Sequence, residues 1–322
     1  MSNKLKLFNE RKHCPVCNHR HCKEIIRLEW NSQVLVDFFN YRNYPIDFIK
    51  EGAYVLLECK KCSLLYQKYN PNKFLLDKIY NKWIRKRNSE ENNFLDYGFN
   101  PYSPEKTIGN ISEINQILNI IIDSSDNSRV LDFGMGWGGW CRAAQLMGLE
   151  AYGSEISKSQ IEYNERNGLK VIGWNEITNF GFSFINAEQV FEHLADPFDV
   201  LKHLIGGLKP NGFLRISVPN ATGVKSNFRK NYQANWFYAK GKKTSLNPVE
   251  PMQHLNGFNY KSLICMGEKP GLKESKFSIG RIQKNSILPS SFFNSSITFF
   301  RPFLPLYISM RSRRTNVLFQ KA

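Results

Sequence analysis

The stretch from Val130 to Gly139 reads Val-Leu-Asp-Phe-Gly-Met-Gly-Trp-Gly-Gly and places an apolar run directly before a glycine-rich turn. From Arg129 onward, apolar runs typical of strands alternate with amphipathic runs typical of helices. Such alternation predicts an α/β fold in which a parallel sheet carries helices on both faces. The glycines allow the backbone to approach a small ligand closely. The sequence therefore predicts a nucleoside-type ligand at this turn.

Two Cys-x-x-Cys pairs precede the glycine turn and are typical of the two knuckles of a zinc ribbon. Each pair delivers two thiolates from one tight turn, and 41 residues lie between the pairs. Four protein ligands fill a tetrahedral ion and indicate a structural rather than a catalytic metal. The predicted ligands are Cys14, Cys17, Cys59 and Cys62. Cys22, His13, His19 and His21 are rival ligands, and free or buried cysteines are the alternative to a metal.

The length of 322 residues favours one large domain and a smaller one. We expect a zinc-binding ribbon over 1–70, a helical connector over 71–126 and a ligand-binding domain over 127–322. Within the last, residues 221–256 form a basic, aromatic insertion that we interpret as a lid. The same mixture of aromatic and basic residues is also typical of RNA binding or of a packed loop.

The net charge of +16 is distributed unevenly. Residues 1–90 carry +9 and residues 221–322 carry +14, whereas 91–126 carry −5 and 127–220 carry −2. Basic ends favour an anionic partner such as a nucleotide-linked substrate, RNA or a membrane surface. A solvated basic surface is the alternative.

No apolar run reaches the roughly 18 residues that a membrane-spanning helix needs. The longest candidate, 297–310, is interrupted by Arg301, Pro302 and Pro305. The first residues are polar and contain no secretory signal, so we expect a soluble, cytoplasmic protein.

The glycines Gly134, Gly136 and Gly139 satisfy the pattern of a dinucleotide-binding loop, which alone is a weak signal. Asp132 argues against that ligand, because its carboxylate would repel a pyrophosphate. A carboxylate suits S-adenosylmethionine instead, whose methionine end carries an ammonium and a sulfonium. Glu155, after the next predicted strand, can accept hydrogen bonds from ribose hydroxyls.

Four ordered blocks within residues 127–280 resemble the class I S-adenosylmethionine-dependent methyltransferases. They are the stretches 130–138, 152–157, 182–194 and 208–219. The resemblance implies a Rossmann-like sheet and a cofactor site formed by Asp132, Gly134, Gly136, Gly138, Glu155, Ile156 and Gln189. Together with the cysteine pairs, the chain more narrowly resembles zinc-containing sugar methyltransferases, which implies a nucleotide-sugar or glycan precursor as the acceptor.

Three residues are candidates for the chemistry. His193 has an ordinary pKa near neutrality and is the natural general base, and Glu192 precedes it after the fourth predicted strand. By resemblance, this Glu-His pair faces the acceptor. His254 closes the basic insertion and is expected to enter the same pocket. The alternative is that Glu192 and His193 only cap the loop or orient the cofactor, and that His254 is structural.

Two other functions remain open at this point. An RNA methyltransferase would use the basic ends to hold phosphates, and its binding would weaken steeply with salt. The second is a zinc-ribbon scaffold without catalytic activity. Such a scaffold would not need Asp132, Glu155, Glu192 or His193, and their presence together argues against it. The acceptor, the methylated atom and the oligomeric state are not predicted by the sequence.

Overall fold

The structure, a computed structural model, describes residues 7–45, 49, 52–79, 103–121, 128–230, 245–275 and 314–322. Its helices are α1 (Gln33–Arg42), α2 (Lys73–Lys78), α3 (Pro104–Ile121), α4 (Gly139–Leu146), α5 (Lys158–Arg166), α6 (Pro197–Gly207), α7 (Val224–Lys230) and α8 (Tyr260–Glu268). Its strands are β1 (Phe8–Glu10), β2 (Cys22–Glu29), β3 (Ala53–Cys59), β4 (Leu65–Gln67), β5 (Tyr69–Pro71), β6 (Arg129–Phe133), β7 (Glu150–Ser154), β8 (Lys170–Val171), β9 (Phe182–Glu188), β10 (Leu208–Pro219), β11 (Asn256–Gly257), β12 (Lys273–Glu274) and β13 (Arg314–Gln320).

The described part of the chain contains a seven-stranded sheet in the order β12-β13-β10-β9-β6-β7-β8. Strands β10, β9, β6, β7 and β8 run parallel, and β13 joins β10 antiparallel. Their residues are apolar along most of their length because helices cover the sheet, and β9 is buried at nearly every position. The predicted Rossmann-like α/β fold is confirmed.

The order of the strands reverses beside β6. The chain proceeds outward from β6 to β7 and β8, and then crosses back to place β9 on the other side of β6. Ligands of open α/β sheets bind in the crevice at such a switch point, outside the carboxyl ends of the strands. The glycine turn follows β6, and Gln189 to His193 follow β9, so both reach this crevice.

A second sheet, in the order β11-β4-β3-β2, lies in the N-terminal part of the chain. Its edge strand comes from far along the sequence, because Asn256 and Gly257 pair with Tyr66 and Leu65. Helix α1 lies between β2 and β3 and was not predicted from the sequence. Its apolar residues Leu35, Phe38 and Phe39 recur at helical spacing and are buried.

The hydrophobic cores combine residues from both ends of the chain. One core contains Val16 and Leu64 of the cysteine region together with Phe258 and Leu263. Another contains the buried residues of α1 together with Val249 and Met252 of the insertion. The division into 1–70, 71–126 and 127–322 remains a sequence-based prediction.

Several predicted features fall outside the described residues. They are residues 231–244 of the insertion, residues 80–102 and 122–126 of the connector, and the apolar run 297–310. Among the described residues, none of the helices combines the length and hydropathy of a membrane-spanning segment.

Candidate active site and metal centre

The four predicted cysteine ligands converge on one point. The Sγ atoms of Cys14 and Cys62 lie 3.6 Å apart, those of Cys17 and Cys59 lie 3.5 Å apart, and all four lie within 4.8 Å of one another. Zn–S bonds of about 2.3 Å in a tetrahedron separate the sulfurs by about 3.8 Å, so the four thiols fit such an ion. Cys22 is exposed and does not belong to this group.

Each knuckle is closed by the same backbone turn. The amide of Asn18 donates to the carbonyl of Cys14, and the amide of Ser63 donates to that of Cys59, both at 3.0 Å. Asn18 and Ser63 accordingly have φ values of +58° and +63°. Asparagine tolerates this left-handed conformation well, and serine adopts it here because the knuckle requires it.

The glycine turn at the end of β6 cannot accept side chains at two of its positions. A Cβ at Gly134 would lie 2.5 Å from Val190 Cγ2, and one at Gly138 would lie 2.4 Å from Asn164 Oδ1. Gly136 also has a positive φ of +54°, but a Cβ there would meet nothing within 4 Å. Gly136 therefore faces open space, which is the side available to a ligand.

Asp132 is almost completely buried below this turn. Its Oδ1 accepts a hydrogen bond of 2.9 Å from Asn186 Nδ2, and Arg215 in turn donates to Asn186 Oδ1 at 2.7 Å. Burial raises the pKa of Asp132 to about 7, and the Asn186 hydrogen bond opposes that rise. Because desolvation destabilises the charged carboxylate, a cationic group placed against it would favour ionisation.

Glu155 directly follows β7 and links the glycine turn to the segment after that strand. Its carboxylate accepts hydrogen bonds from the amides of Gly136 at 3.0 Å, Ile156 at 2.7 Å and Ser157 at 3.0 Å. A carboxylate offers about four acceptor positions, so these bonds leave capacity for a ribose hydroxyl. Ile156 beside it is 82% exposed, which is unusual for a large apolar side chain and suits the face of a nucleobase.

Gln189 lies between β9 and the catalytic candidates in a strained conformation. It has a φ of +57°, and its amide donates to the carbonyl of Ser217 at 2.8 Å. Its side-chain Nε2 is buried and has no hydrogen-bond partner within the described residues. Buried donors are normally satisfied, so this atom requires a partner that a ligand can provide. The glycine turn and this donor together fit S-adenosylmethionine.

The three catalytic candidates are brought together by the fold. His193 Nε2 lies 3.8 Å from Glu192 Oε1, and the rings of His193 and His254 meet edge to face with centroids 4.8 Å apart. One ligand-type atom from each residue lies within 4.8 Å of the others. The three side chains are therefore neighbours, and a role of His254 in an acceptor pocket stays a prediction.

Burial controls the charge of the pair. Glu192 is 1% exposed, neither of its carboxylate oxygens has a hydrogen-bond partner among the described residues, and burial raises its pKa to about 8. Burial lowers the pKa of His193 to about 4, opposed by its hydrogen bond to a backbone carbonyl. At neutral pH the pair is therefore a protonated carboxyl beside a neutral imidazole.

The tautomer of His193 follows from its contact with the insertion. Nδ1 lies 3.0 Å from the carbonyl oxygen of Gln253, which can only accept, so Nδ1 carries the hydrogen. The lone pair is therefore on Nε2, the nitrogen that faces Glu192. His254 Nδ1 is likewise hydrogen-bonded to a backbone carbonyl, that of Asn247.

Sequence reasoning missed two residues that shape this site. The guanidinium of Arg11 donates to carbonyls next to the catalytic residues, and Asn256 donates to the carbonyls of Phe191 and Leu194. Both contacts join residues far apart in sequence, and neither residue belongs to a motif.

The fold, the switch-point crevice and the glycine turn define a nucleoside-binding α/β enzyme. Residues 109–273 match the family model described as "Methyltransferase domain", which is half of the chain, and the protein belongs to this family. It is an S-adenosylmethionine-dependent methyltransferase.

Solved structures that are similar in fold to this chain include methyltransferases. The plantazolicin methyltransferase BpumL in complex with SAH is 15% identical, with 76% of this chain and 93% of that chain covered and a TM-score of 0.45. A SAM-dependent methyltransferase from Archaeoglobus fulgidus is 18% identical, with 67% and 97% covered and a TM-score of 0.37. No similar sequence was found among curated proteins.

Proposed function

We propose that this enzyme methylates a small anionic acceptor, a nucleotide-sugar or glycan precursor, and that His193 is the general base. The observation that carries the proposal is the cluster of buried Glu192, half-buried His193 and buried His254, of which the first two follow the carboxyl end of β9 close to the glycine turn. The excess of +14 in residues 221–322, which supply His254, favours an acceptor with negative charge.

When bound, S-adenosylmethionine supplies an electrophilic methyl group on a sulfonium. The residues proposed to hold it are Asp132 at the ammonium end, Glu155 at the ribose, and Ile156 and Gln189 at the nucleoside. The absence of a side chain at Gly136 keeps the open side of the turn free for the ligand, and side chains at Gly134 and Gly138 would collide with Val190 and Asn164.

His193 is proposed to take the proton of the acceptor on Nε2 while the acceptor atom bonds to the methyl carbon and the sulfur–methyl bond breaks, which would leave a neutral thioether. The carbonyl of Gln253 fixes the ring by its bond to Nδ1, and it stabilises the imidazolium that results. His254, in contact with the same ring, is proposed to orient the acceptor. Glu192, kept neutral by burial, does not repel a negatively charged acceptor.

The direct experiment incubates the purified protein with S-adenosylmethionine carrying a labelled methyl group and with fractionated cell metabolites. We expect label to enter an anionic, carbohydrate-containing fraction. Transfer confined to an RNA fraction would contradict the proposed acceptor class, and salt-sensitive RNA binding would accompany it.

The pH dependence of kcat/KM tests the state of the Glu-His pair. The rate should rise as His193 deprotonates above about 4 and fall above about 8, where ionised Glu192 repels the acceptor. Glu192→Gln is neutral at every pH, so it should lose the alkaline fall and keep the acidic limb. An unchanged alkaline limb in this variant would assign the limb to another group.

We further propose that the cysteine group holds a structural zinc ion. Such ions contribute about 10 kcal/mol or more of apparent binding energy in small zinc peptides. We therefore expect Cys59→Ser to lose the metal, detected by elemental analysis, and to lower the Tm by about 5 °C or more. Cys22→Ser, which alters an exposed cysteine outside the group, should retain both. Equal metal content in the two variants would contradict the assignment.

A further inference from the structure

Arg11 connects the cysteine-bearing segment to the catalytic residues. It follows β1 directly and precedes the first knuckle, and its backbone amide donates to the carbonyl of Lys68 at 2.8 Å. This bond anchors its main chain to the N-terminal sheets. Its side chain is therefore projected from a segment that is held on both sides, by β1 and by the cysteine group.

The guanidinium of Arg11 bridges two segments that carry the catalytic candidates. One terminal nitrogen donates to the carbonyl of Leu255 at 3.1 Å and to Asn256 Oδ1 at 3.0 Å. The other donates to the carbonyls of Leu194 at 3.2 Å and Ala195 at 2.5 Å. The first segment directly follows His254, and the second directly follows the Glu192-His193 pair.

Asn256 completes the connection between these segments. Its side chain is fully buried, and its Nδ2 donates to the carbonyls of Phe191 at 3.1 Å and Leu194 at 2.7 Å. The short 3-10 turn Phe191–His193 is thus fixed to β11 by an amide whose oxygen is held by Arg11. Every bond in this group is directional and is made to a backbone or side-chain oxygen.

Only an arginine can make these four bonds. A guanidinium presents its donors in a planar fork, whereas a lysine ammonium is a single point charge and cannot span acceptors on two segments. Burial lowers the pKa of Arg11 to about 10, and the nearby carboxylate of Asp196 opposes this fall. The group remains charged at neutral pH, so its hydrogen bonds are charge-assisted.

We propose that Arg11 is a positioning residue that sets the relative placement of His193 and His254 from the cysteine-bearing segment. This role rests on the proposed function, because it matters for turnover only if these two histidines face the acceptor. Through Arg11, the N-terminal module, by which we mean the cysteine group and strands β1 to β5, would position the catalytic residues without contacting the reacting atoms. Disturbance of the module should then reach the acceptor side of the crevice and spare the cofactor side.

The cofactor side is held by different contacts. Glu155 accepts from the glycine turn, and Asp132 is held by Asn186. Neither of these residues is bonded to Arg11 in the described structure. The two sides of the crevice can therefore be separated experimentally.

The test compares Arg11→Lys with the matched control Arg27→Lys. Arg27 is an exposed arginine on β2, and its guanidinium forms a surface ion pair with the exposed Glu24 three residues earlier. Hydrogen exchange followed by mass spectrometry should show protection of the stretches 189–196 and 252–257 reduced by about tenfold or more in Arg11→Lys alone. The stretch 134–157 should keep its protection, and affinity for S-adenosylmethionine should stay within about twofold of wild type.

Turnover supplies a readout that a merely stabilising role would not move. With the metabolite fraction that accepts label, Arg11→Lys should lower kcat by about 10²-fold, with KM for the donor unchanged. Arg11→Ala should behave alike, and added guanidinium at millimolar concentration should restore part of its turnover. The protein-only exchange measurement decides the link itself without any acceptor.

Two results would overturn the proposal. Unchanged protection of 189–196 and 252–257 in Arg11→Lys would show that the bridge does not hold these segments. Loss of protection over the whole chain, together with loss of donor binding, would make Arg11 an ordinary stabilising residue. If the wild-type protein bound no S-adenosylmethionine, the proposed function would fail, whereas the exchange pattern would still decide whether Arg11 joins the two segments.

Discussion

Replacing His193 with alanine should lower methyl transfer by about 10²- to 10⁴-fold, the usual contribution of a positioned general base. We expect the loss in kcat, because His193 is proposed to face the acceptor, whereas the hydrogen bonds described for Asp132 and Glu155 join Asn186 and backbone amides. Affinity for S-adenosylmethionine, measured by calorimetry, should change by no more than about twofold.

A matched control exists in His203. This histidine lies on α6, where its ring stacks on Trp174 with the ring centroids 3.7 Å apart and its Nε2 lies 2.8 Å from the carbonyl oxygen of Trp174. His203→Ala should retain turnover. If His193→Ala also turned over normally, the base assignment would be wrong and His193 would be structural.

Replacing Gly134 with alanine should abolish measurable binding of S-adenosylmethionine. The added Cβ would stand 2.5 Å from Val190 Cγ2, and the φ of +77° is unfavourable for any L-side chain. Relief of that overlap requires movement of Val190, which adjoins Gln189, or of the turn itself, and either movement distorts the crevice. The loss should exceed about 100-fold in Kd, since it removes the shape to which the ligand binds.

The control for this variant separates backbone strain from steric overlap. Gly148 has a comparable φ of +82°, but a Cβ there would meet nothing within 4 Å. Gly148→Ala should therefore lose some stability and keep donor binding. A second substitution, Val190→Ala in the Gly134→Ala background, should recover part of the affinity. Full affinity in Gly134→Ala would contradict the proposed position of the cofactor.

The elements that the sequence predicts well are those whose signals are local. The alternation of strand and helix patterns from Arg129 onward is such a signal, and β6, β7 and β9 are neighbouring strands of the parallel part of the sheet. The cysteine group converges as predicted, because each knuckle is a local turn with a fixed backbone pattern.

The features that the sequence did not predict depend on contacts between distant residues. Asn256 and Gly257 complete the N-terminal sheet by pairing with β4, and no periodicity in a two-residue strand could reveal that. Arg11 reaches carbonyls at Leu194 and Leu255, and carbonyl acceptors leave no trace in the amino-acid sequence. Helix α1 was missed although Leu35, Phe38 and Phe39 carried its pattern.

The carboxylate of Glu155 holds the glycine turn in addition to its predicted contact with the ribose. Glu155 was expected to receive ribose hydroxyls, and its carboxylate is also the acceptor that holds the glycine turn. Its position at the carboxyl end of β7 makes both uses compatible, because one oxygen accepts from Ile156 and Ser157 and the other from Gly136. Its role as a ribose ligand remains a prediction.

The claim that the glycine turn binds S-adenosylmethionine rather than a dinucleotide is tested most directly by calorimetric titration. The purified protein is titrated with S-adenosylmethionine and with NAD, each at pH 8 and pH 6. Because burial raises the pKa of Asp132 to about 7, a cationic ligand should bind more weakly at pH 6, where this carboxyl is mostly protonated. We expect one binding site for S-adenosylmethionine, with an affinity that falls at the lower pH, and no binding of NAD. Binding of NAD without binding of S-adenosylmethionine would contradict the claim.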